Sequence, residues 1–382
     1  MLNPKQNLSI LSITLGRGGA EKVISLLLKE LINDYHVTLV LLYNEIHFQI
    51  PKEVNVVILN NKESAQPFYL KIFDGIRVFI KYSAFLRKNN INYSVSFLAF
   101  PNLINGMVAI FNKKVKTIIS ERGFPSDNTT SKLSLYISKV FYPIIYNRCN
   151  KLFSNSVYIN EDLKDNFGIK IPMDVIYNPI ELPNDTIEPS KLNFKTHILK
   201  VITAGTLNTR KNQIMIIKAI ESSNKKYELS ILGGGHLDGF LNHEVKNRHL
   251  QDQIFLKGSV KNVNEFLLES NCFVLSSFTE GFPNALLEAM AIGLPCISTN
   301  CLSGPLELLN DNQPIIIKKG MFFKAQYGIL INNDDHIALK EALDFFHTHP
   351  EEREKYSKLS LERSRKYQLK SVYKELNQFI KN

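Results

Sequence analysis

The feature that most restricts the fold is an alternation, met twice along the chain, of a short apolar strand-like run, a glycine-bearing loop and a helical run. Residues 8–15 alternate and stop at Gly16-Arg17-Gly18-Gly19, after which Ala20, Val23, Ile24, Leu27, Leu28 and Leu31 recur at helical spacing. Further strands are read at 35–43, 54–59, 93–97, 115–120, 151–154 and 174–177, with helices at 67–88, 103–111 and 133–146. Strands separated by helices of this length predict a parallel sheet covered on both faces. Asn178-Pro179-Ile180-Glu181-Leu182-Pro183-Asn184 then punctuates the chain, and no periodicity follows until about residue 199. From there the alternation restarts, with strands at 200–204, 227–232, 253–256, 272–276, 296–298 and 328–331. The helices between them are read at 212–221, 237–248 and 263–269, from Pro283-Asn284 to the stop signal Gly293 and Pro295, from Pro305, and at 335–346 behind the cap Asp334. At 382 residues the chain is too long for one ordinary core. The expected organisation is α/β, with two doubly wound, Rossmann-like domains over 1–184 and 185–365 and a separate amphipathic helix in 366–382 that packs across them.

Charge is unevenly placed. The formal net charge is +10, and the segment 68–151 holds thirteen Lys and Arg against Asp74, Glu121 and Asp127. The same segment is rich in Phe, Tyr, Ile and Leu, which suits an anionic membrane surface. Nucleic acid and a merely solvated face are the competing readings, and the chain shows no recognisable nucleic-acid motif. Cys149, Cys272, Cys296 and Cys301 have neither C-x-x-C spacing nor the density of a disulfide framework, which fits a reducing cytosol. The first residues lack a basic region followed by a sustained apolar core, and no run reaches the ~18 apolar residues of a membrane span. The expectation is therefore a cytoplasmic protein, peripheral on the inner face of the membrane, with no nucleic-acid partner.

Chemistry-bearing residues concentrate in the second half. Glu288 is a lone carboxylate in the apolar run after Gly281, and such a charge is costly to bury without a partner. With Glu280 in the preceding loop and the N–H groups of Asn284, Ala285 and Leu286 at the helix mouth, the stretch suits a phosphate flanked by polyols. The plainer alternative is a loop charge and a first-turn glutamate favoured by the helix dipole. Arg210 and Lys211, at the start of a helix after Gly205, suit a diphosphate; a surface basic pair is the alternative. In the first half, Gly18 and Gly19 allow close backbone approach to an anion, without the G-x-G-x-x-G spacing of a dinucleotide fingerprint. Glu121 and Arg122 end a parallel strand, where open α/β sheets keep ligands, although a strand-end ion pair reads equally well. No His or Asp pair stands at metal-ligand spacing.

Gly18-Gly19-Ala20-Glu21, Arg210-Lys211-Asn212, Gly233–Gly235, Glu280-Gly281-Phe282-Pro283-Asn284 and Glu288 together resemble the retaining nucleotide-sugar glycosyltransferases of family four. The two glutamates separated by seven residues are the most specific element. The resemblance covers nearly the whole chain and implies the GT-B fold, two Rossmann-like domains facing a cleft. It implies that Glu288 binds the ribose hydroxyls, and that Glu280 and the backbone of Gly281, Phe282, Pro283, Asn284, Ala285 and Leu286 meet the donor sugar. Arg210 and Lys211 would hold the diphosphate, Val260 would lie beside the base, and Gly18 and Gly19 would approach from the other domain. The implied donor is a nucleotide-diphosphate sugar, UDP first. The implied acceptor is a lipid-linked glycan, an undecaprenyl diphosphate, in surface-polysaccharide synthesis. Glu280, Arg210 and Lys211 would be catalytic, with no cofactor and no metal. Two positions depart from the family pattern: Thr206 stands where many members have arginine, and Ser120-Glu121-Arg122 stands where a first-domain histidine is usual. A catalytically silent scaffold of a polysaccharide assembly complex and an NAD-dependent oxidoreductase are the alternatives.

Overall fold

The first alternation becomes a seven-stranded sheet of parallel pairs. The computed structural model describes residues 4–60, 68–127 and 132–382. It divides into a unit of Met1–Pro179 with Leu369–Asn382 and a unit of Ile180–Gln368. The elements of the first unit are β1 (Gln6–Ser12), α1 (Gly19–Asp34), β2 (Tyr35–Tyr43), β3 (Asn55–Asn60), α2 (Phe68–Lys88), β4 (Tyr93–Phe97) and α3 (Ala99–Phe111). They continue as β5 (Lys116–Glu121), α4 (Lys132–Tyr146), β6 (Lys151–Ser154), α5 (Val157–Phe167) and β7 (Met173–Val175). Strand order is β3-β2-β1-β4-β5-β6-β7, so the chain runs outward from β1, reverses, and returns to pair β4 with β1. That reversal parts the loops after β1 and β4 and makes their shared edge the natural ligand position.

α2 and α3 cover one face through Val78, Tyr82, Leu86, Ile104 and Val108. On the other face, α1 is joined by the terminal helix, Leu369–Lys381. This helix buries Leu369, Val372, Tyr373, Leu376, Phe379 and Ile380, a helical stripe that fills what α1 leaves uncovered. Asn377 Nδ2 donates to Asp34 at 3.0 Å, and Tyr35 Oη donates to Asn377 at 2.7 Å.

The second unit repeats the plan with β8 (Ile198–Ala204), α6 (Ile214–Glu221), β9 (Lys226–Leu232), α7 (Asp238–Asn247), β10 (Ile254–Gly258), α8 (Val263–Leu268) and β11 (Cys272–Leu275). It ends with α9 (Asn284–Ile292), β12 (Cys296–Thr299), α10 (Pro305–Asn310), β13 (Phe323–Lys324), β14 (Ile329–Ile331), α11 (His336–Thr348) and α12 (Pro350–Ser364). The order β10-β9-β8-β11-β12-β14-β13 places the reversal between β8 and β11. The residues after those two strands include Arg210, Lys211 and Glu280. All four cysteines are buried and free.

Several expectations are corrected. β1 spans Gln6–Ser12 and not 8–15, and Leu15 instead forms an isolated bridge with Ile46. The expected start of the second helix at Pro67 lies outside the described residues. α5 was not anticipated, although Ile159, Leu163 and Phe167 repeat every fourth residue and Gly168 closes the helix in the left-handed region at φ 63°. α12 was also not anticipated, for a different reason: its inward side is polar. Arg353 is 0% exposed and donates from Nη2 to Phe194 O at 2.5 Å, while Arg363 donates from Nε to Leu308 O at 3.0 Å. A helix that buries guanidinium groups against carbonyls shows no apolar period to read.

Candidate active site

The sheet reversal in the second unit gathers residues distant in sequence. After β8, Thr209–Lys211 forms a 3-10 turn in which Asn208 Oδ1 accepts from Lys211 N at 3.1 Å. Asn212 then takes the left-handed conformation, φ 49°, before α6 begins. Arg210 and Lys211 are thus on a separate turn and not in the first turn of the helix, as had been expected. Lys211 Nζ reaches Glu280 Oε1 at 2.5 Å, with side chains 16% and 5% exposed. Ser277 Oγ donates to the same Oε1 at 2.5 Å. The main chains are stitched as well: Ser276 Oγ donates to Lys211 O at 2.8 Å and Phe278 N to Arg210 O at 2.8 Å. The Arg210 side chain is exposed and outside this network.

α9 starts at Asn284 with Pro283 as its N-cap and stops at Gly293, φ 95°. Leu286 N–H donates to Pro283 O at 3.0 Å, so it is not available at the mouth as the sequence had suggested. Gly281, Phe282 and Pro283 are buried, and the Phe282 ring packs on Tyr367 at 5.8 Å between centroids. Glu288 is half-buried in the second turn of α9, which removes the first-turn dipole explanation.

Three glycine-bearing loops complete this edge. Gly205 N donates to Leu232 O, Leu207 N to Gly234 O and Gly233 N to Gly258 O, at 2.9, 3.0 and 2.8 Å. A Cβ on Gly233 would stand 2.0 Å from Gly205 O, and one on Gly235 2.2 Å from Leu207 O. These glycines are required by contact between loops. Half-buried Val260 lies two residues beyond Gly258 in the third loop.

Sequence reasoning missed the support beneath Glu280. Thr299 Oγ1 donates to Ser277 O at 2.6 Å, and Ser303 Oγ donates to Gly281 O. Ser303 and Gly304 both have positive φ, 72° and 101°, and a Cβ on Gly304 would meet Pro283 Cδ at 2.3 Å. The available signal was Ser303-Gly304-Pro305, a turn-forming triplet shortly after a buried strand.

In the first unit, Gly18 is the N-cap of α1 and its carbonyl accepts from Lys22 N at 3.1 Å. Gly18 and Gly19 are exposed. A Cβ on Gly18 would stand 2.1 Å from Glu21 Oε2, so glycine here lets Glu21 fold back over its own helix end. Burial raises the Glu21 carboxyl above its ordinary range.

Glu121 and Arg122 are 2% and 8% exposed. Glu121 Oε2 accepts from Tyr146 Oη at 3.2 Å, and Tyr146 stacks on Tyr142 at 4.4 Å. The Arg122 guanidinium lies over Phe97 and Phe153, 5.0 and 5.1 Å from their centroids, and donates to Asn178 Oδ1 at 3.0 Å. Burial pushes the Glu121 carboxyl up from 4.5 to about 7. Folding therefore favours its protonated form. The stabilisation is complete below pH 4.5 and is lost as pH rises through about 7. The fold is expected to be more stable near pH 5.5 than near pH 8 by about 2 kcal/mol, seen as a higher melting temperature at the lower pH. Glu121→Gln should flatten that difference, and an unchanged pH profile would contradict the burial argument.

The two reversing sheets, parallel except for the antiparallel edge pair β13–β14, have the two-domain architecture of the GT-B fold. The lipopolysaccharide outer core galactosyltransferase WaaB superposes with a TM-score of 0.73 at 17% identity, over 97% of this chain and 98% of that one. Anabaena HepE, solved with UDP and glucose, gives 0.75 at 12% identity over 98% and 99%. Residues 184–363 match the family described as Glycosyl transferases group 1, so the second unit carries a domain of that family. Among curated relatives, a Campylobacter jejuni enzyme is 28% identical over 88% of this chain and 89% of its own length. It is named N-acetylgalactosamine-N,N'-diacetylbacillosaminyl-diphospho-undecaprenol 4-alpha-N-acetylgalactosaminyltransferase.

Proposed function

We propose that this chain transfers a sugar, with retention, from a nucleotide-diphosphate sugar to an undecaprenyl-diphosphate-linked glycan in the synthesis of a surface polysaccharide. The observation that carries the reading is Lys211 Nζ held 2.5 Å from Glu280 at the sheet reversal of a group 1 domain. A fixed ammonium stabilises charge as it develops on a departing diphosphate. The leaving oxygen takes the acceptor hydroxyl's proton while the new glycosidic bond forms on the same face. UDP is the favoured nucleotide because a structural neighbour is solved with it. The lipid-linked acceptor is favoured by the name of the Campylobacter relative. Glu288 serves as the ribose ligand, Val260 lies beside the base, and Gly18 and Gly19 supply backbone to the substrates. Arg210 adds mobile positive charge. Glu121 and Arg122, being buried, act as positioning residues for the acceptor side. No metal takes part, since the ammonium does a metal's electrostatic work.

The test is a donor screen by released nucleotide, with UDP and GDP sugars and an undecaprenyl-diphosphate glycan, run with and without EDTA. Turnover with a UDP sugar in EDTA is expected. Absence of turnover with every donor would sink the reading, and strict Mg²⁺ dependence would overturn its metal-free part. Glu288→Ala is expected to weaken UDP binding about 10- to 100-fold, the loss of charge-assisted hydrogen bonds worth about 1.5–3 kcal/mol. Calorimetry showing unchanged UDP affinity would remove the ribose assignment.

The same reading places the chain on the cytoplasmic face of a membrane. Among the described residues no helix is long and apolar enough to cross one. The helices α2, α3 and α4 nevertheless leave Ile76, Ile80, Phe111, Tyr136, Phe141 and Ile144 exposed. Exposed Arg77, Lys81, Lys113, Lys114 and Lys139 are interspersed with them. Apolar side chains amid cations fit an anionic lipid surface and not a nucleic-acid groove. Co-sedimentation with phosphatidylglycerol vesicles is expected, weakened by salt and reduced at least tenfold in Phe111→Asp with Ile144→Asp. Binding equal to neutral vesicles, or indifferent to both substitutions, would reject this attachment.

A further inference from the structure

Residues 311–328 join α10 to β14, where connections of this kind usually run about 2–6 residues. Residues 315–324 hold Ile, Met and Phe at six positions, Lys at three and Gly at one, and no Asp or Glu occurs anywhere in 312–333. A connection this long in a compact domain is usually functional.

Its shape is fixed from within the second unit. Asn332 Nδ2 donates to Ile317 O at 3.0 Å, Gly320 N to Asp335 Oδ2 at 2.7 Å and Met321 N to Lys318 O at 3.0 Å. Gly320 makes the turn at φ 76°, and Phe322 packs on Phe345 at 5.3 Å between centroids. Those bonds hold residues 317–320 against the carboxyl end of β14. From the same end Asn333 Nδ2 donates to Phe278 O at 3.1 Å, in the loop that leads to Glu280. The connection therefore rises to the edge of the sheet that carries Lys211 and Glu280.

What this turn presents outward is apolar and cationic. Ile316 is 95% exposed and Met321 56%, with Lys318 and Lys319 exposed between them. Ile337 is 44% exposed, and its Cγ2 lies 3.8 Å from where a Gly320 Cβ would stand. The carboxylates bonded at this end are already engaged: Asp335 accepts from Gly320 N and Ala338 N, Asp334 accepts from Asn212 Nδ2, and Glu352 meets Lys324 at 3.3 Å. An aliphatic side chain so exposed on an ordered turn stands proud of the surface, which suits a medium that yields around it and not a preformed groove. Nucleic acid offers no apolar phase for Ile and Met, whereas an anionic bilayer offers both an apolar interior and negative headgroups. We propose that residues 315–321 form a lip that enters the headgroup layer of an anionic bilayer, with Ile316 and Met321 embedded and Lys318 and Lys319 at the lipid phosphates. The lip belongs to the second unit and is independent of the side chains of α2, α3 and α4. It deepens the transferase reading by bringing the Lys211–Glu280 edge to the membrane, and rests on that reading for the presence of a lipid-linked acceptor there.

The experiment places an environment-sensitive nitrobenzoxadiazole dye on Ile316→Cys in the full chain, a selective label because all four native cysteines are buried. Asn224→Cys is the control, since Asn224 is exposed just before the amino end of β9, at the opposite edge of the sheet. On phosphatidylglycerol vesicles the dye at 316 is expected to shift to the blue and the dye at 224 to stay unchanged. Lys318→Gln with Lys319→Gln should weaken the response about 10- to 30-fold, from about fivefold for each lysine at the surface. Met321→Asp should weaken it at least fivefold and leave UDP affinity unchanged, which shows the second unit still folded. No shift at 316 on vesicles that do sediment the chain overturns the lip and leaves the attachment through α2, α3 and α4 standing. Equal shifts of the two dyes, an equal shift at 316 on phosphatidylcholine, or indifference to the lysines also overturns it. A chain that binds no vesicle fails both the lip and that attachment, while the donor screen judges the transferase reading by itself.

Discussion

Lys211→Ala is expected to lower transferase turnover by about two to three orders of magnitude, the loss found when one preorganised charge-stabilising donor is removed. The ammonium is 16% exposed and 2.5 Å from Glu280, so it is already placed and desolvated before any substrate arrives. Preorganisation of this kind acts on the transition state more than on binding, and the Michaelis constant for the donor should move much less than kcat. The substitution carries a second consequence. Glu280 is 5% exposed, and without its partner it becomes a buried carboxylate held only by Ser277. Breaking a buried pair from one side costs about 3–5 kcal/mol. Lys211→Ala alone therefore confounds lost catalysis with lost stability. The double variant Lys211→Ala with Glu280→Gln should recover most of the stability and none of the turnover. Recovery of turnover in the double variant would show that Lys211 merely neutralises Glu280. Arg210→Ala should do less, since that side chain is exposed and outside the network.

Gly233→Ala is expected to destabilise the second unit by about 3 kcal/mol or more, from strain at positive φ and a steric clash together. Gly233 has φ 129°, and its added methyl would stand 2.0 Å from Gly205 O, a backbone atom that cannot rotate away. Relief would require parting the two loops and breaking the bonds Gly205 N to Leu232 O and Leu207 N to Gly234 O. Urea unfolding measures the shift in midpoint. Gly239→Ala is the matched control: Gly239 lies in α7 with nothing within 4 Å of its would-be Cβ. That substitution should stabilise by about 0.5–1 kcal/mol. Equal effects at the two positions would refute the close-approach account of the glycine loop.

Much of the fold was legible because its helices and strands obey their periods. β2, the terminal helix and the stop of α9 at Gly293 carry apolar spacing or a punctuating glycine that local chemistry explains. α12 was illegible because its buried side is Arg353, Ser357, Ser360, Arg363 and Ser364 around the single Tyr356, and the two guanidinium groups are held by carbonyls supplied from elsewhere. The candidate site divides in the same way. Glu288 declared itself as a charge in an apolar run, and Glu280 as its partner in the loop before it. Thr299, Ser303 and Gly304, which hold the Glu280 loop in place, looked like ordinary loop residues.

The sequence by itself determined the α/β class, the repetition of the plan, the stretch that bears the paired glutamates and the family resemblance, because each rests on local spacing. Only the tertiary structure decided that Lys211 and not Arg210 meets Glu280, since one turn of backbone directs neighbouring side chains to different places. It alone placed Glu121 and Arg122 in a buried network. Those outcomes depend on which distant loops the sheet reversal brings together, a long-range consequence of strand order that local periodicity does not encode.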